Sequence, residues 1–364
     1  MSLAPGAEVE LAIEALAAGG DGVARREGVT VFVARAAPGD RVRARVREVR
    51  RRFARAEIAE ILSPGPMRRE APCPYYSRCG GCSWLHVDEA EQTRARIAIA
   101  RAALERIGGR SDLPEIEVVR SPRALGYRAR ARVAHGGGRV GFRARASHEI
   151  VDVERCAVLD AETQAALTRL RESRPAGVGE VEIRGFGTRV EVGGKSLEIG
   201  AGAFFQANRA LWERWLEVVL DACGRGALAV ELYCGVGFYT ARLIERFARV
   251  VALERSPAAA ASAARNSTAE VIAEAAELWA PRGLVRLRPE LVLLNPPRVG
   301  CHQNVSDALR DCGAERIVYV SCEPATLARD LARFGPQFRL RRLVLLDALP
   351  QTHHIELVVL LERD

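Results

Sequence analysis

Ala229-Val230-Glu231-Leu232-Tyr233-Cys234-Gly235-Val236-Gly237 is the stretch on which the reading of the fold turns. A short apolar run leads into a glycine turn, and a helical pattern begins near Thr240. That is the signature of a buried strand, a tight crossover and a helix. Glycine at the turn lets the backbone approach a ligand closely. Seventeen residues after Gly237, the run Val250-Val251-Ala252-Leu253 ends in Glu254. An acid there suits the two hydroxyls of a ribose. The third glycine of a dinucleotide signature is absent, so a mononucleoside ligand such as S-adenosylmethionine fits better than NAD.

Outward from this stretch the same texture continues from about residue 200 to the C-terminus. Strand-like runs at 227–232, 249–253, 290–294, 316–320, 342–346 and 355–361 alternate with helical patterns. This predicts an α/β domain with a mostly parallel, doubly wound sheet, whose ligands bind outside the carboxyl ends of its strands. Three of the runs carry chemistry. Ile317-Val318-Tyr319-Val320-Ser321 ends in Cys322, followed by Glu323-Pro324. A buried thiol is the plain reading of Cys322 taken alone, but its place at a strand end points to a nucleophile. Leu293-Leu294 ends in Asn295-Pro296-Pro297-Arg298. Two prolines neither continue a strand nor start an ordinary helix, so this is a rigid ledge. The last run opens with Glu356, just after His353 and His354. Burying a carboxylate there is costly without a partner or a function. Burial would raise its pKa and suit it to proton transfer.

The N-terminal part reads differently. Turn clusters at Gly19-Gly20-Asp21-Gly22 and Pro38-Gly39-Asp40 flank a strand-like Val29-Thr30-Val31-Phe32-Val33. Arg41-Val42-Arg43-Ala44-Arg45-Val46-Arg47 then alternates strictly, placing apolar residues on one face and four arginines on the other. A five-stranded OB-like barrel with a basic face would fit. Prolines at 64, 66, 72 and 74 mark a boundary, and residues 89–108 read as an amphipathic helix. Short strands with glycine turns are expected over 123–193, where Arg128, Arg130 and Arg132 again alternate with small or apolar residues.

At 364 residues the chain has room for two or three domains. Its formal charge is +8, and Lys195 is the only lysine among 54 basic residues. Guanidinium groups suit phosphate contacts and base stacking, so a nucleic-acid partner is favoured. No apolar run is long enough to span a bilayer, and the first residues lack signal-peptide anatomy. A cytosolic location without membrane association is expected. There thiols stay reduced, so nine cysteines are read as metal ligands or nucleophiles before disulfides.

Taken together, these words resemble the RNA uracil-C5 methyltransferase family, in its iron–sulfur, TRAM-containing branch. The resemblance rests on Ala18 to Arg25 and Pro38-Gly39-Asp40 for a TRAM domain, and on Cys73-Pro74 through Cys79-Gly80-Gly81-Cys82 for a cluster. In the methyltransferase it rests on Phe204-Phe205-Gln206-Ala207-Asn208, Glu231 to Gly235, Asn295 to Arg298, Ser321 to Thr326 and Pro350 to Glu356. It covers essentially the whole chain, in the right order. The resemblance implies a TRAM domain over 1–62, an iron–sulfur and central β domain over 63–195, and a Rossmann-like class I methyltransferase domain over 196–364. It implies S-adenosylmethionine as donor, held by Gln206, Tyr233, Gly235, Gly237, Glu254 and Asn295. Arg298 and His354 would contact the uridine or a phosphate. Cys322 would add to carbon 6 of uracil and Glu356 would remove the carbon 5 proton. Cysteines spaced C-x5-C-x2-C, with Cys156 as a fourth ligand, could hold zinc or a [4Fe–4S] cluster on spacing alone. The resemblance implies [4Fe–4S]. It also implies RNA as partner, 23S rRNA ahead of tRNA, and a monomer is the default. Two positions depart from the family: Asn295 stands where Asp is usual, and Phe238 where Asn is usual. They motivate the competing expectation of an RNA-binding paralogue with a weakened donor site.

Overall fold

Strict alternation shapes the N-terminal unit of the computed structural model, which describes residues 3–364. Strands β1 (Glu8–Ala12), β2 (Ala15–Leu16), β3 (Gly22–Arg26), β4 (Val29–Ala34), β5 (Arg41–Val49) and β6 (Phe53–Ser63) form one sheet, ordered β1-β5-β6-β4-β3-β2. The expected five strands are six, because β2 has only two residues and shows no pattern. Val42, Ala44 and Val46 are buried, as a period of two requires. The arginines between them do not make a free basic face. Arg41 pairs with Glu10 at 3.8 Å, Arg45 with Glu8 at 2.8 Å, Arg43 with Glu60 and Arg47 with Glu57. Exposed pairs of this kind add little stability, but they cancel the excess charge of the face.

Helix α1 (Glu89–Arg106) starts at Asp88, whose carboxylate accepts the N–H groups of Ala90 and Glu91. The chain then crosses to β7 (Ile116–Val119), at the far edge of the C-terminal sheet. The sequence assigned 63–195 to a unit apart from 196–364. Instead α1 contributes Ala100 and Leu104, and β7 contributes Ile116, to the C-terminal core. A four-residue strand is too short to announce its sheet in sequence.

Next, β8 (Arg130–Gly136), β9 (Arg139–Arg143) and β10 (Ile150–Asp152) precede helix α2 (Ala161–Glu172) and β11 (Gly179–Arg184). The four strands pair antiparallel in the order β10-β9-β8-β11. Helix α2 departs from the all-strand expectation for this region. Its Leu167 packs with Val133 and Ile183, and Asp160 caps it by accepting the Thr163 N–H at 2.8 Å. A hairpin of β12 (Arg189–Val192) and β13 (Lys195–Glu198) leads into the C-terminal half.

There the elements are α3 (Trp212–Cys223), β14 (Gly226–Leu232), α4 (Thr240–Leu243), β15 (Phe247–Leu253), α5 (Pro257–Asn266), β16 (Glu270–Ile272), α6 (Ala276–Leu287) and β17 (Leu291–Leu294). They continue with α7 (Gln303–Asp311), β18 (Arg316–Ser321), α8 (Pro324–Phe334), β19 (Phe338–Leu346) and β20 (Glu356–Arg363). The sheet runs β16-β15-β14-β17-β18-β20-β19-β7. Strands β14 to β18 are mutually parallel, while β20 runs antiparallel to β18 and β19. Apolar layers cover both faces, one around Val292, Tyr319 and Leu357, the other around Leu293, Val318 and Val358. This is a Rossmann-like, doubly wound fold with a reversed strand inserted beside β18. Among the described residues no helix is long and apolar enough to cross a membrane.

Leu357 is fully buried and lies opposite Ser321. Truncating it to alanine is expected to cost about 2–5 kcal/mol in urea unfolding. A change within about 0.5 kcal/mol, typical of a surface site, would contradict this packing.

Candidate active site

The sheet order gathers the candidate residues at one edge. Glu254 follows β15, Tyr233 to Gly237 follow β14, Asn295 follows β17 and Cys322 follows β18. These four strands are parallel, so all four segments leave at carboxyl ends. Strand β20 is reversed, so its first residue, Glu356, arrives at that same edge.

On the side of the candidate donor residues the turn permits close approach. Tyr233, Gly235 and Gly237 have φ of 62°, 59° and 85°. A Cβ at Gly235 would meet nothing within 4 Å, whereas at Gly237 it would press on Ala263 at 3.3 Å. Gly235 thus leaves open space, and Gly237 permits the packing of α5. Glu254 holds this turn: its carboxylate accepts the Gly235 N–H at 3.1 Å and the Ser256 N–H at 2.8 Å. Gln206 is buried, and its carbonyl accepts Trp212 Nε1–H at 2.9 Å. The Asn295 N–H reaches the Leu232 carbonyl at 3.4 Å, tying the ledge to β14. Phe238 is buried, with its ring 5.4 Å from Phe205 and 5.0 Å from Tyr239. The position that departs from the family therefore serves the core under the donor loop.

The base candidate perturbs the nucleophile candidate, and Arg298 acts on both. Burial pushes the half-buried Cys322 thiol up to about 11, and the Glu356 charge adds to this while Arg298 opposes it. Burial likewise raises the Glu356 carboxyl to about 8, again opposed by Arg298. Arg298 is exposed and reaches the His354 ring at 3.3 Å. Burial, His353 and Arg298 together lower His354 to about 3, so the imidazole is neutral. Among the described residues neither Arg128 nor Arg298 lies within ion-pair distance of a carboxylate, in contrast to Arg130, Arg132 and Arg143, which pair with Glu182 or Glu180.

Cys73, Cys79, Cys82 and Cys156 are free thiols that line one cavity of 490 Å3, together with Arg128, His353 and His354. Burial raises the thiols of Cys79 and Cys156, and that of Cys82 to about 12. Among the described residues no three His, Cys, Asp or Glu side chains form a group that could hold a single metal ion. Cys223, Cys301 and Cys312 are buried elsewhere.

Fold and strand-end residues define the class: a Rossmann-like methyltransferase carrying an N-terminal β domain. The family described as tRNA (Uracil-5-)-methyltransferase matches residues 188–277 and 283–364, and the TRAM domain matches 3–59. An uncharacterized RNA methyltransferase of Bdellovibrio bacteriovorus is 32% identical over 99% of this chain and 96% of its own length. The 23S rRNA (uracil(1939)-C(5))-methyltransferase RlmD of Chromohalobacter salexigens is 33% identical over 97% of this chain and 89% of its own. A tRNA (uracil-54, C5)-methyltransferase of Pyrococcus abyssi, solved with S-adenosyl-L-homocysteine, shares the fold with a TM-score of 0.76 at 23% identity, over 97% of this chain and 100% of that one. The chain belongs to the RNA (uracil-5-)methyltransferase family of S-adenosylmethionine-dependent enzymes.

Sequence reasoning missed residues that hold the loop before Glu356. Arg96 and Gln92 lie one turn apart on α1 and bond to residues 349–354. Their spacing of four was the available signal.

The thiol of Cys322 should alkylate slowly near neutral pH and accelerate toward its pKa of about 11. In E356Q the thiol loses a raising charge, so alkylation should be faster than in the wild type, chiefly above about pH 8, where Glu356 is ionised. Mass-spectrometric rates of iodoacetamide labelling at Cys322 would show this, and equal rates in the two proteins would contradict the coupling.

Proposed function

We propose that this enzyme methylates carbon 5 of a uridine in 23S rRNA, with Cys322 as nucleophile and Glu356 as base. The observation that carries the reading is the meeting of a strand-end thiol and a half-buried carboxylate beside the proposed donor turn. Carbon 5 of uracil is too weak a nucleophile unaided. Addition of the Cys322 thiolate to carbon 6 forms an S–C bond and converts the ring to an enolate. Gln206, Tyr233, Gly235, Gly237, Glu254 and Asn295 would hold the donor, which would supply an electrophilic methyl group to carbon 5 with a neutral thioether as the leaving group. Glu356 then takes the carbon 5 proton, the enolate re-forms, and its collapse expels the Cys322 thiolate. Atoms balance, with one methyl gained and one proton lost from the ring. Because Glu356 must receive that proton, the thiol proton has to leave by another route. Arg298 opposes both upward pKa shifts and so favours the two ionised forms. With His354 it would contact the flipped uridine or its phosphate.

Relatives acting on 23S rRNA support that substrate, since one aligns with nearly the whole chain at 33% identity. Cys73, Cys79, Cys82 and Cys156 would hold a [4Fe–4S] cluster through thiolate ligands. Support comes from four soft donors around one cavity, with Arg128 favouring ionisation of Cys82 and Cys156.

Nucleoside mapping in a strain lacking the protein should show one 5-methyluridine missing from 23S rRNA. Loss from tRNA instead would overturn the substrate, and loss from neither would overturn the activity. In vitro, C322S should abolish transfer, whereas E356Q should stall with RNA covalently attached at Cys322. Turnover of the wild type should rise with pH through about 8, as the base ionises. Protein purified without oxygen should carry iron and acid-labile sulfide, both lost in C82A/C156A. Zinc without sulfide would exclude the cluster.

A further inference from the structure

The side chain of Arg96, on α1, is 1% exposed. A buried cation needs compensating partners, or it costs several kcal/mol. Most of its partners lie in the segment between β19 and β20, which ends at Glu356. Nε donates to the His354 carbonyl at 3.2 Å. Nη2 donates to the Thr352 carbonyl at 2.8 Å and reaches that of Leu349 at 3.5 Å. Nη1 stands 3.1 Å from the Asp347 carboxylate. Trp84 lies against the guanidinium, with its ring centre 5.3 Å away.

One turn earlier on the same helix, Gln92 exchanges two bonds with Gln351. Its Oε1 accepts the Gln351 N–H at 3.0 Å and its Nε2 donates to Gln351 Oε1 at 2.9 Å. Gln351 has φ +68°, a conformation that a non-glycine residue holds only when its surroundings impose it. An irregular buried segment has carbonyls with no ladder to join. Arg96 supplies donors to three of them from one planar fork, which a lysine ammonium does not reproduce.

We infer that Arg96 is a positioning residue for the proposed base: by fixing the carbonyls of 349, 352 and 354 it sets where Glu356 enters β20. The inference rests on the assignment of Glu356 made above. Helix α1 is anchored independently, since Ala100 and Leu104 already pack into the main core. The role therefore lies in aiming the base rather than in attaching the helix. Proton abstraction tolerates little misplacement, because an error of about 1 Å can cost about 10²-fold in rate.

The test compares R96K and R96M with E356Q in the full-length protein. R96M should slow turnover on uridine RNA about 10²-fold and R96K about tenfold, with covalent RNA accumulating at Cys322 as in E356Q. Donor affinity by calorimetry, and adduct formation on 5-fluorouracil RNA, should match the wild type, since neither needs the base. The pH at which turnover rises should also move down, because a looser segment admits water to Glu356. R96M turnover within about twofold of the wild type, with E356Q inactive, would overturn the role of Arg96 alone. So would loss of donor binding and fluorouracil adduct together, which marks a purely structural residue. Normal turnover by E356Q would instead remove the base assignment itself.

Discussion

The reversed strand β20 is the constraint on which the rest of the site depends. Its antiparallel register with β18 sets Leu357 opposite Ser321, so the residue before Leu357 falls beside the residue after Ser321. A parallel strand would put Glu356 at the opposite edge of the sheet, about 20 Å away for a strand of this length. The arrangement has an electrostatic consequence. A carboxyl and a thiol share a partly dry space, and each is held away from its ionised form. The Arg298 guanidinium on the proline ledge offsets both effects, which gives that ledge an electrical as well as a steric role.

Much of this was legible in the sequence, for physical reasons that can be named. Strands covered on both faces read as unbroken apolar runs, and β14, β15, β17 and β18 announced themselves that way. Their ends were legible because glycine, proline and cysteine interrupt the run at the point where a ligand approaches. Strand direction was not legible. Nothing in Ile355 to Leu361 tells whether it lies parallel or antiparallel to Ile317 to Ser321. Nor was the placement of β7, whose few residues pair with a strand more than 200 positions downstream.

Charge shows a second limit of the same kind. Alternation correctly placed Arg41, Arg43, Arg45 and Arg47 on one face, but it does not name the strand that lies alongside. Cross-strand glutamates neutralise that face, and Glu180 and Glu182 do the same for Arg130, Arg132 and Arg143. The net charge of +8 is therefore a poor guide to where a polyanion would be held. The guanidinium groups left without a carboxylate near His354, those of Arg128 and Arg298, flank the site itself. His354, kept neutral between them, adds no further positive charge there.

Domain-like units in the sequence also converge on a single loop. The Gln351 carbonyl accepts the N–H groups of Ser83 and Trp84 at 3.1 and 3.0 Å, directly after the third cysteine of the cavity. Ser83 Oγ accepts the His353 N–H at 2.8 Å. From the N-terminal sheet, Gly20 sits so close that a Cβ would lie 2.8 Å from Ser83 and 3.2 Å from His353. With φ +90°, it is a glycine for two separate reasons, backbone conformation and space. The cysteine segment, the N-terminal turn and helix α1 thus all brace residues 349–354, three elements contributed from the first third of the chain to a loop near its end. A loop braced from three directions can hold Gln351 in a strained conformation and present the half-buried Glu356 carboxylate at a fixed height. That explains why a candidate site formed by strand ends of the C-terminal half is built on a scaffold that includes the N-terminal half.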